Sequence, residues 1–383
     1  MRQGGPLGKH EFTGQKQTNI SLQIGEEMAR LREIYIKSSD PFERGRQHGS
    51  QVKDEITDIC EGYKASFAKL NYTWEEAQAM AMEYVPYLEE IMPDLVQEAR
   101  GIAAGAETDF ATVMVLNTRY ELLKFAKGVE GFGGGQCTCY AVSPEATAEH
   151  ETIGGQNWDN APFIGKNLYM LHIDEENGTK IVGLCEPAQL IRSGMNSYGI
   201  SLNCSTLLST WDKRGVTIPT NFMRRRILQA KTFDEACETV KLLKPCVSLN
   251  YVITSKEGKV TAFETTPKEV YRVYPARGVL TQANDIKINP AIDRFQRTGD
   301  HQAQRYRGPR LDYLLQKKAG EITPEYIQEC LKDHENYPDS VCNHHAEGNC
   351  VTIASMQYCV DRGYALVAWG NPCENEYEKY ELN

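Results

Sequence analysis

The spacing of hydrophobic and polar positions predicts a mainly helical first third of the chain. From residue 41 to about residue 125, apolar side chains recur at intervals of three and four, which is the spacing of one helix face. The first predicted helix runs from residue 41 to about residue 70, after a short apolar alternation at Ile34 and Ile36. Helix-start signals, a capping residue followed by Glu or a proline in the first turn, stand at Asp40-Pro41 with Glu43, at Thr73 with Glu76, and at Pro93.

Beyond Gly131 to Gly135 the pattern changes to short runs rich in Tyr, Val, Ile and Thr, which are typical of strands. The predicted strands are 138–143, 151–158, 167–174, 180–186, 199–204, 248–254, 259–265, 268–274, 278–283, 350–357 and 364–369. Helices are predicted near 219–230, after the capping pair Thr232 and Glu235, near 302–317 and near 324–333. Strands at meander spacing, interrupted by pairs of helices, predict an α+β fold of stacked sheets covered by helices.

Composition and charge narrow the class of protein. The 383 residues are 25% charged, with 42 Lys and Arg against 52 Asp and Glu, a formal charge of -10. This balance, without a basic stripe, argues against a partner that is nucleic acid or an anionic membrane surface. No apolar run approaches the roughly 18 residues of a membrane helix, and residues 1–20 resemble a flexible leader rather than a secretory signal, so a cytoplasmic location is expected.

The glycine-rich stretch that runs directly into Cys137 is the most informative place in the sequence. One interpretation is a flexible linker, with Cys137 merely the first residue of a strand. Another is a cysteine nucleophile, which needs a neighbouring base to take its proton. The eight histidines lie in ordinary contexts, and no papain-type or caspase-type signature accompanies them. A Cys-His enzyme stays open but has no supporting signature. The alternative base is the α-amine of the cysteine itself, which requires that the chain be cut before Cys137.

Several ordered motifs resemble one known family. They are Pro41-Phe42-Glu43-Arg44-Gly45 with His48-Gly49-Ser50, Arg100 to Glu107, Leu116-Asn117-Thr118-Arg119, the junction at Cys137-Thr138, Gly155-Gln156-Asn157-Trp158-Asp159, Gly194 to Ile200, and Glu335-Asn336-Tyr337-Pro338. From about Ile34 to the C-terminus the chain is similar to the acyl-coenzyme A:6-aminopenicillanic-acid acyltransferase family of N-terminal-nucleophile (Ntn) hydrolases. Several short matches in order are more specific than any one alone.

The resemblance implies a four-layer αββα sandwich that is made as a zymogen and cuts itself between Gln136 and Cys137. Residues 21–136 would be a mainly helical α-chain and residues 137–383 a β-chain with the catalytic core, and the two chains would stay associated. The thiol of Cys137 would then cleave or transfer the acyl group of a small N-acyl amide or acyl thioester. No cofactor is expected, although acyl-coenzyme A is a possible substrate.

The same resemblance implies roles for individual residues. Cys137 would be the nucleophile, Asn284 an oxyanion-hole donor, and Asp159 a neighbour that orients the α-amine. Thr266, Asn157 and Asn349 would line the pocket or assist processing. Two positions depart from the family pattern, because Gln136 replaces a glycine before the nucleophile and Asn349 stands where a late arginine is expected. On local sequence alone, Asn284 is equally consistent with a turn residue at a strand end, and for Asp159 a turn before Asn160 is the less favoured alternative.

Two further hypotheses come from other features. Cys342-Asn343-His344-His345, followed by Cys350, could hold a metal ion, but the spacing is not that of common zinc sites and adjacent histidines point in different directions. The prediction is therefore that the chain has no metal site. The other hypothesis is an uncleaved family member that acts as a binding module.

Overall fold

The computed structural model describes residues 30–125, 137–242, 244–294, 302–345 and 350–383. The helices of the described residues are α1 Pro41–Gln51, α2 Lys53–Lys69, α3 Trp74–Met82, α4 Val85–Ile91, α5 Pro93–Ala106, α6 Phe110–Leu123, α7 Pro162–Gly165, α8 Thr220–Ile227, α9 Phe233–Leu242, α10 Gln302–Gln316 and α11 Pro324–Leu331. None of these described helices combines the length and apolarity needed to cross a membrane.

The strands of the same residues are β1 Glu33–Lys37, β2 Cys137–Val142, β3 Ile153–Asn160, β4 Tyr169–Asp174, β5 Lys180–Cys185, β6 Ser193–Asn196, β7 Ile200–Thr206, β8 Leu249–Ser255, β9 Val260–Thr265, β10 Val270–Val273, β11 Val279–Gln282, β12 Val351–Cys359, β13 Tyr364–Trp369 and β14 Glu378–Glu381. They form an eight-stranded sheet in the order β1-β4-β5-β6-β7-β8-β9-β10 and a six-stranded sheet in the order β11-β2-β3-β12-β13-β14. The pairing of β1 with β4 is parallel, and the other pairs are antiparallel.

The two sheets pack face to face, and helices cover both outer faces. Between the sheets, Gln156 of β3 accepts a hydrogen bond from the backbone N–H of Cys204 in β7. Helices α1 to α6, α8 and α9 lie on the larger sheet, whereas α10 and α11 lie on the smaller one. The predicted αββα sandwich is confirmed. The residues of β2, β7, β8 and β9 are buried because these strands are covered by the other sheet on one face and by helices on the other.

Close helix packing in the outer layer depends on two pairs of glycines. A Cβ added at Gly45 or Gly49 of α1 would lie 1.9 or 2.1 Å from backbone oxygens of α5. The reciprocal positions, Gly101 and Gly105 of α5, would clash with backbone oxygens of α1 at 2.0 and 2.1 Å. The two helix backbones therefore touch, which is possible only where no side chain intervenes.

The predicted helix from residue 41 to about residue 70 is divided at Val52, which leaves the helical conformation with φ of -129°. The N-cap of Asp40 is formed through the backbone N–H of Phe42, but Glu43 bonds to Arg46 instead of completing a capping box. The capping box of Thr73 and Glu76 is complete. Strands β6 and β14 lie outside the predicted strands, because Ser193–Asn196 and Glu378–Glu381 lack the runs of Val, Ile, Tyr and Thr that mark the others.

Candidate active site

Cys137 is the first residue of β2 and lies at the end of the smaller sheet, paired with Trp158 of β3. It is only 1% exposed. Strand β2 pairs with β3 on one side and with β11 on the other. The end of β3 after Trp158 and the segment that follows β11 therefore both lie beside Cys137. Residues that are far apart in sequence therefore converge on the nitrogen and the sulfur of one cysteine.

A chain of hydrogen bonds holds the nitrogen of Cys137. Its backbone N–H donates to Asn284 Oδ1 at 3.0 Å, and Asn284 Nδ2 donates to the carbonyl of Thr206 at 2.8 Å. The same Oδ1 accepts a second hydrogen bond from Arg307 Nη2 at 3.0 Å. Arg307 Nη1 in turn contacts Asp159 Oδ2 at 2.5 Å in a fully buried ion pair. Asp159 thus acts on the cysteine nitrogen through Arg307 and Asn284.

The carboxylate of Asp159 is fully enclosed by protein donors. Thr352 Oγ1 donates to Oδ1 at 2.6 Å, and Asn343 Nδ2 donates to Oδ2 at 3.3 Å. Burial raises the pKa of Asp159 to about 6, against the lowering effect of Arg307 and of these two donors. The group is therefore ionised at neutral pH and takes up a proton in mildly acidic solution.

The sulfur of Cys137 faces a second cation. Arg192 Nη2 lies 3.8 Å from Sγ, and the guanidinium of Arg192 stacks on Trp158 at 4.6 Å from the ring centre. Burial raises the pKa of the Cys137 thiol, while Arg192, Arg307 and the backbone N–H of Asp159 oppose that shift. At neutral pH the thiol therefore keeps its proton and needs a base to become a nucleophile.

A cavity opens at Cys137, and both the nucleophile and its strand partner Trp158 form part of its wall. Aromatic side chains form much of its wall: Tyr63, Tyr120, Trp158 and Phe163. Arg119, Arg192 and Arg224 also line it, and only Arg119 pairs with a carboxylate, that of Glu186, among the described residues. Nη1 of Arg192 and Nε of Arg224 are buried without a hydrogen-bond acceptor in that part of the chain.

The other predicted residues have different surroundings. Asn157 donates from Nδ2 to the carbonyls of Leu331 and Val341, so it braces β3 against the helix layer. Thr266 Oγ1 makes its hydrogen bonds within the turn that ends at Glu269. The pocket and processing roles of these two residues remain predictions. Gln136 and Asn349 lie outside the described residues.

Arg307 is a site residue that the sequence analysis missed. The family pattern predicts a late arginine just before Cys350, whereas the buried guanidinium that contacts Asp159 and Asn284 comes from α10. Gly308 allows this approach, because a Cβ there would lie 3.3 Å from the Cβ of Ala283, next to Asn284. The usable signal was a glycine beside an arginine inside a predicted helix.

Within the described ranges, the histidines and the cysteines near residue 342 form contacts of their own, away from the nucleophile. In the described part of the chain, no histidine is hydrogen-bonded to Cys137, and His48 is instead bonded to the hydroxyl of Tyr169. Of the residues considered as metal ligands, Cys342 and His344 do converge, but with His334 and Cys373 rather than with His345 and Cys350. These four side chains are brought together by the tertiary structure, because Cys373 is distant in sequence from His334, Cys342 and His344.

Comparisons with known proteins identify the family of the chain. Residues 146–374 match the family model described as acyl-coenzyme A:6-aminopenicillanic acid acyl-transferase, a match that begins after Cys137 and includes Asp159 and Asn284. The 40 kDa form of acyl-coenzyme A:6-aminopenicillanic-acid-acyltransferase from Emericella nidulans is 26% identical over 321 residues, covering 80% of this chain and 84% of that protein.

Two solved structures are also similar. A mutant of conjugated bile acid hydrolase from Clostridium perfringens has a TM-score of 0.40 and 16% identity, over 64% of this chain and 97% of that one. Penicillin V acylase from Agrobacterium tumefaciens has a TM-score of 0.36 and 11% identity, over 61% and 74% of the two chains. Because the family model matches more than half of its residues, this chain belongs to the acyl-coenzyme A:6-aminopenicillanic acid acyl-transferase family.

Proposed function

We propose that the protein is a self-processing thiol enzyme that transfers or hydrolyses the acyl group of a small amide or thioester. The observation that carries this proposal is the placement of Cys137, whose nitrogen binds Asn284 and whose sulfur faces Arg192 at the cavity. A buried thiol with a raised pKa and no hydrogen-bonded imidazole among the described residues favours the α-amine of Cys137 as its base.

Maturation begins with attack of the Cys137 sulfur on the carbonyl carbon of Gln136. The C–N bond between the two residues breaks, the nitrogen takes a proton, and a thioester joins Gln136 to the cysteine sulfur. Water then hydrolyses the thioester, which leaves a carboxylate on Gln136 and a free amine and thiol on Cys137. The hydrogen bond to Asn284 would keep that amine next to its own sulfur.

In the mature enzyme the neutral amine takes the thiol proton, and the thiolate attacks the acyl carbon of the substrate. When the tetrahedral intermediate collapses, the leaving group receives this proton, and an acyl-enzyme remains on the sulfur. Water then yields a hydrolase and an amine yields an N-acyltransferase. Asn284 is proposed as the oxyanion donor, as the family resemblance implies, in addition to its contact with the cysteine nitrogen.

Arg307 and Asp159 are proposed as positioning residues for this amine. The guanidinium shares Asn284 Oδ1 with the cysteine nitrogen, so its positive charge disfavours the ammonium form and maintains a neutral base. Asp159 fixes the guanidinium and balances its charge within the buried site. Because Asp159 contacts the nitrogen only through these two residues, its effect on catalysis depends on Arg307.

The substrate is proposed to carry an anionic group beside its acyl bond. Among the described residues no ion pair joins Arg192 or Arg224 to a carboxylate, although the buried Glu121 is close enough to interact electrostatically with Arg224, and each arginine has a buried N–H without an acceptor there. Two cations in an enclosed pocket repel each other, and burial together with the charge of Arg224 lowers the pKa of Arg192. A bound carboxylate would relieve both the repulsion and the unsatisfied donors.

The first test is the intact mass of the purified chain beside two single variants. Wild type should give two fragments that break between Gln136 and Cys137, and Cys137→Ala should give one uncut chain. Cys139→Ala is the matched control, because this thiol is also buried in β2 but should leave cleavage unchanged. An uncut wild-type chain would overturn self-processing and favour the binding-module hypothesis.

A further inference from the structure

A cluster of two thiols and two imidazoles lies beyond the catalytic residues, on the segments around α11 and after β13. It comprises Cys342, Cys373, His334 and His344, whose ligand atoms all lie within 4.8 Å of one another. We propose that these four side chains bind one zinc ion as a structural site that holds the segment next to Asp159 in place.

Four of the six distances within the cluster are close to the edges of a zinc tetrahedron, and the two between His334 and the sulfurs are at most 4.8 Å. The two sulfurs are 3.5 Å apart, the two Nε2 atoms are 3.1 Å apart, and the sulfurs of Cys342 and Cys373 are 3.4 and 3.3 Å from His344 Nε2. With zinc–sulfur bonds of about 2.3 Å and zinc–nitrogen bonds of about 2.0 to 2.1 Å, the corresponding edges are about 3.8, 3.4 and 3.5 Å. Small adjustments would complete the coordination.

The chemistry of the donors selects the metal. Two soft thiolates with two imidazoles in a tetrahedral arrangement favour zinc over calcium or magnesium, which prefer oxygen ligands. Zinc with two thiolates is neutral overall, so the ion adds no net charge to a partly buried site, and its binding releases two thiol protons. Four protein ligands leave no open position for water, which is typical of structural rather than catalytic zinc.

Supporting hydrogen bonds surround the ligands. Asn371 Nδ2 lies 3.5 Å from the Cys342 sulfur and donates to the backbone carbonyl of Asn343 at 2.9 Å. The backbone N–H of Cys342 donates to the carbonyl of Asp333, and that of His344 donates to the carbonyl of Pro338. Such outer contacts orient metal ligands and limit their motion.

The site is connected to the active centre through one residue. Asn343 lies between the ligands Cys342 and His344, and its Nδ2 contacts Asp159 while its backbone pairs with Thr352. Thr352 also donates to Asp159. Fixing residues 342 and 344 on a metal would therefore fix both donors that hold the carboxylate, without placing the metal on the reacting atoms.

The test is the zinc content of the full-length chain, measured by elemental mass spectrometry after purification with zinc and removal of free ions. Wild type should retain about one zinc per chain, and Cys373→Ser and His334→Asn should retain less than about a fifth of that amount. Cys350→Ser and His345→Asn are matched controls, since both residues neighbour the cluster in sequence but are not among its four ligands, and both should retain zinc.

Cobalt exchange provides a readout that does not depend on activity or on a variant that folds. Wild-type protein loaded with Co²⁺ should show the intense visible bands of tetrahedral cobalt and a sulfur-to-cobalt charge-transfer band. Removal of zinc from wild type with a strong chelator should lower Tm by about 5 °C or more, because the metal binds only the folded state.

Three results would overturn the proposal. They are a zinc content below about a tenth per chain after reconstitution, equal zinc in Cys373→Ser and Cys350→Ser, and a Cys342–Cys373 disulfide in protein purified under reducing conditions. Each is independent of cleavage at Cys137, so failure of the zinc proposal would leave the proposed catalytic function untouched.

Discussion

Two thiol sites in this protein use the same functional group in opposite ways. At Cys137 a single thiol lies beside a cavity with one guanidinium near its sulfur, and burial raises its pKa. At Cys373 the hydrogen bond from Cys342 and the proximity of His344 lower the pKa of the thiol to about 4, while the same hydrogen bond raises the pKa of Cys342. The first thiol is kept protonated and the second is prepared to act as an anion.

The difference shows that neighbours, and not the cysteine itself, decide its chemistry. A lone thiol with an adjacent nitrogen and a cavity can take up an acyl group and release it again. Convergent sulfurs and imidazoles instead provide a complete set of metal ligands. Asn343 and Thr352 connect the two sites through Asp159. Variants that change one site and leave the other intact measure how separate the two sites are.

Replacing the nucleophile should have the largest effect on activity. We expect Cys137→Ala to abolish turnover, with a loss of at least about 10³-fold, because no acyl-enzyme can form. Steady-state assays with acyl amides and thioesters would measure this loss, and Cys139→Ala should stay near wild type. An active Cys137→Ala variant would show that the nucleophile lies elsewhere.

Removing the buried guanidinium should be the next largest change. Arg307→Met takes away the hydrogen bond to Asn284 and leaves Asp159 without its ion pair, so we expect kcat to fall by about 10² to 10³-fold with a smaller change in KM. Arg307→Lys should recover part of the loss. The control is Arg305→Met, an exposed position in the same helix, and an equal loss there would indicate general damage to α10.

Removing the charge of Arg224 in the cavity should affect substrate binding more than turnover. We expect Arg224→Met to raise KM by about 10 to 100-fold for anionic substrates and to leave neutral analogues nearly unchanged, because a charge-assisted hydrogen bond is lost. Arg226→Met is the matched control, since that residue lies in the same helix and pairs with Asp94. Equal effects on charged and neutral substrates would contradict an anionic substrate.

Acidic pH should inactivate the enzyme without unfolding it. Because the folded pKa of Asp159 is about 6, we expect activity to fall as the pH drops through 6, to about a tenth at pH 5. The stability of the fold should change with pH in the opposite direction to activity. A raised carboxyl pKa adds stability at low pH, and that contribution is lost as the pH rises through 6. Circular dichroism at pH 5 should therefore show folded protein, and loss of structure there would refute this assignment.

Removing one of the side chains that donate a hydrogen bond to Asp159 should give the smallest effect. Thr352→Val removes a hydroxyl that donates at 2.6 Å and that lowers the carboxyl pKa in the wild type, so the acid limb should move to higher pH with about a two- to tenfold loss of kcat near neutrality. Thr352→Ser keeps the hydroxyl and is the control. Identical pH profiles for the two variants would show that the Thr352 hydroxyl does not influence catalysis through Asp159.

The sequence by itself determined most of the framework. Periodicity and capping residues located α3, α5 and α8 to α11 to within a few residues but did not indicate α4 or α7, and short β-rich runs located β2, β3 and most other strands. These features are local, because a helix face or a strand repeats within ten residues. Ordered motifs around Cys137 also pointed to a family that the match over residues 146–374 supports.

Only the tertiary structure decided which distant residues meet. The adjacent glycine is a local signal at Arg307, but it does not name a partner; Arg307 reaches Asp159, 148 residues away, because α10 packs closely at Gly308. His334 and Cys373 join Cys342 and His344 because segments before β12 and after β13 pack together. Such contacts depend on register and layer packing, which no short stretch of sequence encodes.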